Sequence, residues 1–81
     1  EPDSLLSAIP RALSEDNLEA IKILYGYGIS IDTTIVNGFT GLHLSCIYGS
    51  LQCMAWFLLQ GADPEILSKE GENAFEIAAA N

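Results

Sequence analysis

The feature that most constrains this chain is a recurrence. Side chains of matching kind return 33 residues apart, from Gly28 to Gly61, Gly38 to Gly71, Leu18 to Leu51, Ile21 to Met54, Leu24 to Phe57 and Leu42 to Phe75. A chain that repeats at a fixed interval builds one supersecondary unit several times and stacks the copies, because a single copy cannot bury its apolar face. Within one interval the pattern is helical. Leu42, Ser45 and Cys46 fall together on a short helix, Gly49-Ser50 interrupts it, and Leu51, Met54, Phe57 and Leu58 mark one face of a second helix with Ser50 as its N-cap. Gly61 is placed to end that helix in the left-handed C′ conformation, and Pro64 prevents a restart.

Thr40-Gly41-Leu42-His43, Gly49, the Phe57-Leu58 pair and Gly61-Ala62-Asp63 together resemble an ankyrin repeat, in which Thr-Pro-Leu-His opens the first helix. The departure is Gly41 in place of proline, which leaves the backbone at the helix start less preset. The resemblance covers nearly the whole chain, with one full repeat and a divergent or truncated one on either side. It implies an all-α solenoid of helix-turn-helix units joined by β-hairpin-like fingers, with approximate units 1–34, 35–67 and a truncated 68–81. It also implies a structural role for His43, whose ring would hydrogen-bond across the turn between adjacent units and fix the finger.

The remaining segments fit that scheme. Leu5, Leu6, Ile9, Ala12 and Leu13 give a helical stripe over Ser4–Ser14, with Ser4 or Asp3 as cap. Pro10 sits at the position matching His43, and a proline in a helix interior costs about 3 kcal/mol, so this helix is expected to be kinked or divided. Asp16 or Asn17 caps the next helix, whose Leu18, Ile21, Leu24 and Tyr25 face the core and which Gly28 closes. Ile29, Ile31, Thr33 and Ile35 alternate with polar residues ahead of the hairpin signal Asn37-Gly38. That segment reads either as a finger or as a strand of a small α+β domain. Gly61 to Asn73 is a second finger with Pro64, Ser68 and Gly71 as turn residues, and Phe75 to Ala80 begins a further short helix. Its apolar face has no partner helix in the sequence, and Glu1 in place of an initiating methionine fits a segment of a longer chain.

Charge excludes some partners. Eleven acids against three bases give a net charge of −8, and Arg11, Lys22 and Lys69 form no basic cluster, which disfavours phosphate backbones and anionic membrane surfaces. The acidity is compatible with a basic ligand surface. No apolar run approaches the length that spans a bilayer, and no basic-then-apolar leader is present. Cys46 and Cys53 read as small buried hydrophobes of a reducing compartment, cytoplasmic or nuclear.

Catalytic and metal constellations are weak. His43 with Cys46 and Cys53 lacks the paired spacing of a zinc site, and a cysteine on a packing face is inert, not an activated nucleophile. Glu15-Asp16 and Glu70 with Glu72 have no apolar pocket to shift a pKa. No catalytic, cofactor or metal residue is therefore expected. The ankyrin resemblance points instead to the positions around the finger tip and the last turn of the first helix: Val36, Asn37, Phe39, Ile47 and Tyr48, with Lys69, Glu70 and Glu72 as counterparts in the next finger. The function it implies is a non-enzymatic protein–protein interaction module within a larger protein. The alternative is a scaffold packing against a catalytic or regulatory domain of the same chain, for example a GTPase-activating one.

Overall fold

A computed structural model describes the backbone of residues 2–80 and the side chains of residues 5–80. Among the described residues five helices and one hairpin follow in order: α1 (Pro2–Ser14), α2 (Leu18–Gly26), β1 (Thr34–Val36), β2 (Phe39–Thr40), α3 (Gly41–Tyr48), α4 (Leu51–Leu59) and α5 (Ala74–Ala80). α1, α3 and α5 pack side by side in one row, and α2 and α4 form a second row behind them. The core lies between the rows. Ile9, Leu13, Ile21, Leu42, Cys53 and Phe57 are buried there, and full burial of each large apolar side chain is worth roughly 1.5–3 kcal/mol.

The recurrence in the sequence is also a recurrence of hydrogen bonds. The turn between α1 and α2 is closed by Asn17 N–H donating to the Ala12 carbonyl (2.9 Å), and that between α3 and α4 by Ser50 N–H donating to the Ser45 carbonyl (2.8 Å). Ile21 N–H to the Asn17 carbonyl and Met54 N–H to the Ser50 carbonyl open the second helices alike. Gly28 N–H to the Tyr25 carbonyl and Gly61 N–H to the Leu58 carbonyl end them alike. At α4 the Ala62 N–H also reaches the Phe57 carbonyl, completing a Schellman closure around Gly61 at φ 86°. The left-handed residue of the first helix–helix turn is Asp16 at φ 50°, the counterpart of Gly49 at φ 69°.

Between the helix pairs the chain makes a finger, not a strand of a wider sheet. β1 and β2 pair antiparallel with Thr34 opposite Thr40 and Val36 opposite Phe39. The loop is Asn37-Gly38, both at positive φ (53° and 75°), as a two-residue primed hairpin turn requires. The α+β reading of Ile29–Phe39 is thereby excluded. The second finger holds no strand; Ser68 shapes its tip by accepting, at its hydroxyl, the N–H groups of Glu70 and Glu72 (3.2 and 3.4 Å).

Local expectations fare differently. α1 runs through Pro10 in one span, which excludes the divided alternative of a kinked or divided helix. Pro10, which has no N–H to donate to the Leu6 carbonyl, lines an open groove together with Leu6. The helix already begins at Pro2, ahead of the expected caps Asp3 and Ser4, whose side chains lie outside the described residues. On α4 the buried residues are Cys53 and Phe57, with Met54 and Trp56 packed against them, while Leu51 and Leu58 are 71% and 45% exposed. Ser50 stands at the N-cap of α4 but makes no capping bond with its side chain.

Gly41 has a steric cause. A Cβ there would lie 2.5 Å from both the Phe57 Cζ and the Tyr25 hydroxyl oxygen. The Tyr25 ring stacks edge-on against Phe57 (centroids 5.3 Å) and Trp56 (5.8 Å), filling the volume that a larger residue at position 41 would need.

Candidate functional site

His43 ties three pieces of backbone together. It is buried at the start of α3, where Thr40 is the N-cap. The Thr40 N–H donates to His43 Nδ1 (3.0 Å) and the His43 N–H donates to Thr40 Oγ1 (3.3 Å), a reciprocal capping box with histidine in the place usual for glutamate. Nε2 lies 3.2 Å from the Glu72 carbonyl oxygen, which can only accept, so the proton sits on Nε2 and Nδ1 is the acceptor. One ring thus fixes the start of α3 and holds the second finger against the first. Phe39 covers it, ring centroids 5.7 Å apart.

A second clasp joins the two helix–helix turns. The Asp16 carboxylate accepts the Cys53 N–H (3.1 Å) and the Gln52 N–H (3.3 Å), capping α4 from the preceding turn. In return the Ser50 hydroxyl donates to the Leu13 carbonyl. Desolvation opposes ionisation of Asp16, but the hydrogen bonds from Cys53 and Gln52 outweigh it and hold the carboxyl below its ordinary value. The sequence offered Asp16 or Asn17 as the cap of α2; Asn17 is that cap, accepting the Ala20 N–H at 3.1 Å, and Asp16 serves α4 instead. The signal that could have found the cross-turn role is the alignment of Asp16 with Gly49: a carboxylate in a position that favours glycine needs a reason to be there.

Cys46 and Cys53 are buried and are not joined in a disulfide. Burial pushes both thiols up; for Cys53, with the neighbouring Asp16 carboxylate adding to it, the value rises to about 12, so neither is a ready thiolate. Among the described residues no three of His, Cys, Asp and Glu come together as a metal ion would need. No described helix is long and apolar enough to cross a membrane.

The expected partner-binding residues fall in two groups. Val36 at the finger tip and Ile47 and Tyr48 in the last turn of α3 are exposed to 45%, 39% and 46%. Asn37, Lys69, Glu70 and Glu72 are exposed as well, and the tips touch where the Lys69 N–H meets the Asn37 carbonyl at 3.3 Å. Phe39 differs. It is half-buried on the His43 ring and packs against the core, so it serves the finger's own structure. Sequence reasoning missed a groove of about 520 Å³ between α1 and the first finger, lined by Leu6, Ser7, Pro10, Ile35 and Val36.

Comparison with known proteins agrees with this geometry. The family model of ankyrin repeats (many copies) matches residues 9–58. Over 73 residues the chain is 30% identical to E3 ubiquitin-protein ligase KEG of Arabidopsis thaliana, covering 90% of this chain and 4% of that protein. Over 67 residues it is 31% identical to protein phosphatase 1 regulatory subunit 27 of Mus musculus, covering 83% of this chain and 44% of that one. Over 70 residues it is 29% identical to the ankyrin repeat and KH domain-containing protein mask-1 of Caenorhabditis elegans, covering 85% and 3%. The chain therefore spans less than half the length of each of these relatives. A matching family model, a 33-residue recurrence of hydrogen bonds and a histidine-clasped finger lead to one assignment: the chain belongs to the ankyrin-repeat family.

Proposed function

We propose that this chain is a non-enzymatic protein-interaction module, part of a larger intracellular protein, with approximate repeat units 1–34, 35–67 and a truncated 68–81. The observation that carries this reading is the exposure of Val36, Ile47 and Tyr48, three large apolar side chains at finger-tip and first-helix positions. Exposed aromatic and aliphatic side chains of this kind supply the anchors of protein interfaces, and the exposed acids Glu70 and Glu72 beside Lys69 would select a partner with a basic surface. The likeness to a phosphatase regulatory subunit supports a binding role over a catalytic one. The name of another, a ubiquitin ligase of which this chain matches only 4%, keeps the second reading in view: repeats packed against a catalytic domain of the same polypeptide.

The test is capture of binding proteins from cell extract by the immobilised chain and by its Tyr48→Glu and Ile47→Glu variants, with circular dichroism on each. The reading expects both variants to keep their helical signal and lose the captured proteins. Unchanged capture by folded variants would remove Ile47 and Tyr48 from the interface.

A further inference from the structure

We propose that the outer face of α1 and α2 is the closed end of the stack: it stays in water, and no further ankyrin unit seats on it. The same face of α3 and α4, one interval later, shows what a receptive surface looks like. A shallow groove of about 340 Å³ runs between α1 and α2, and Ser7, Arg11, Glu15, Asn17, Ala20 and Leu24 are among its lining residues. Their counterparts at the interval of 33 are Thr40, Leu44, Tyr48, Ser50, Cys53 and Phe57. All but Tyr48 are no more than 4% exposed, where α3 and α4 pack on α1 and α2. On the outer face a charge replaces Leu44, and Ala20 and Leu24 leave unfilled the volume of Cys53 and Phe57. Arg11 and Glu15 meet as an ion pair (3.6 Å) with side chains 85% and 54% exposed. Such a pair contributes little in water, and a unit seated over it would strip both charges of solvent without an equal return.

Two further observations are independent of that surface. The first is capping. α4 takes its cap from the turn before it, through Asp16, while Ser50 turns back to the Leu13 carbonyl. At α2 the donor in the place of the Cys53 N–H is the Ala20 N–H, which Asn17 already satisfies from within the same unit. Asn17, in the place of Ser50, thus serves its own helix and asks nothing of a preceding turn. The second is the finger. Residues 2–7 stand one interval before the finger residues 35–40, yet they are wound into α1. A preceding unit would find no finger there to hold as His43 holds the Glu72 carbonyl. A polar outer face, a self-sufficient cap and a helix in place of a finger are what an end unit of a repeat stack requires. The end formed by α4 and α5 is of the opposite character, with Leu51, Leu58 and Phe75 exposed. This inference does not rest on Ile47 and Tyr48 and goes beyond the reading above: any chain ahead of α1 is of another kind than a stacked ankyrin unit.

The test joins a copy of residues 34–66 ahead of Glu1 of the full chain, which keeps the interval of 33 and offers the copy's Leu51 and Leu58 to the outer face of α1 and α2. Thermal scans give Tm, and NMR with only the original chain isotope-labelled gives the amide shifts of Ser7 and Ala20. The proposal expects the copy to leave both Tm and those shifts as they are in the chain alone. In the triple variant Arg11→Leu, Glu15→Tyr and Asn17→Ser, which restores the pattern of α3 and α4, the copy should raise Tm by several degrees and move both amides. A rise in Tm with moved amides on the wild-type face would overturn the proposal. The same response of wild type and folded variant, whether a rise or none, would overturn it too. Should the variant not fold, the wild-type comparison decides by itself.

Discussion

At the scale of single residues, the least comfortable group in the core is the Tyr25 hydroxyl, buried beside Gly41 with no hydrogen-bond partner among the described residues. An unsatisfied buried hydroxyl costs about 1–3 kcal/mol, so Tyr25→Phe is expected to stabilise the chain and raise its Tm by several degrees in a thermal scan. Gly41→Ala should do the reverse, by about 1–3 kcal/mol, since its methyl meets Phe57 as well as Tyr25. Asp16→Ala removes the cap of α4 and should cost about 1 kcal/mol at neutral pH. The pH dependence has a definite sign. Because the folded carboxyl lies below its ordinary value of 3.8, the advantage of wild type over Asp16→Ala is complete above that value and fades as pH falls through the lowered one. Denaturant midpoints of the two proteins across that range check it.

Single elements show where the sequence suffices and where it does not. The hairpin was legible because Asn37-Gly38 has one good conformation between alternating residues, and the structure adopts it. The closure of α4 at Gly61 was legible for the same reason. The buried face of α4 was legible only in part. Phe57, Met54 and a buried Cys53 hold, but Leu51–Leu59 is apolar almost throughout, so periodicity alone could not show that Leu51 and Leu58 stay outside. Tertiary packing chooses, through Tyr25, whose ring meets Trp56 and Phe57. Consequently Leu51→Lys should shift the denaturant midpoint little, within about 0.5 kcal/mol, while Phe57→Ala should cost about 3–5 kcal/mol. Of the candidate site, Val36, Ile47 and Tyr48 are exposed and Phe39 is half-buried on the His43 ring, a contact that spacing along the chain does not reveal because the fold of the finger makes it.

At the scale of the whole molecule, the stability of a repeat stack is a sum over neighbours. Leu51, Leu58 and Phe75 are 71%, 45% and 58% exposed, whereas their counterparts one interval earlier, Leu18, Tyr25 and Leu42, are half-buried or buried against the helices that follow. Extending the chain by one helical pair of matching pattern should therefore raise Tm, read in the same thermal scan. All of this depends on one structure being built twice at an interval of 33 residues. Native-state amide hydrogen exchange, read by NMR at Asn17 with Ser50, Ile21 with Met54 and Gly28 with Gly61, tests that most directly. Slow exchange at both members of every pair is the predicted result, and exchange at the rate of unstructured chain in either member of a pair would contradict it.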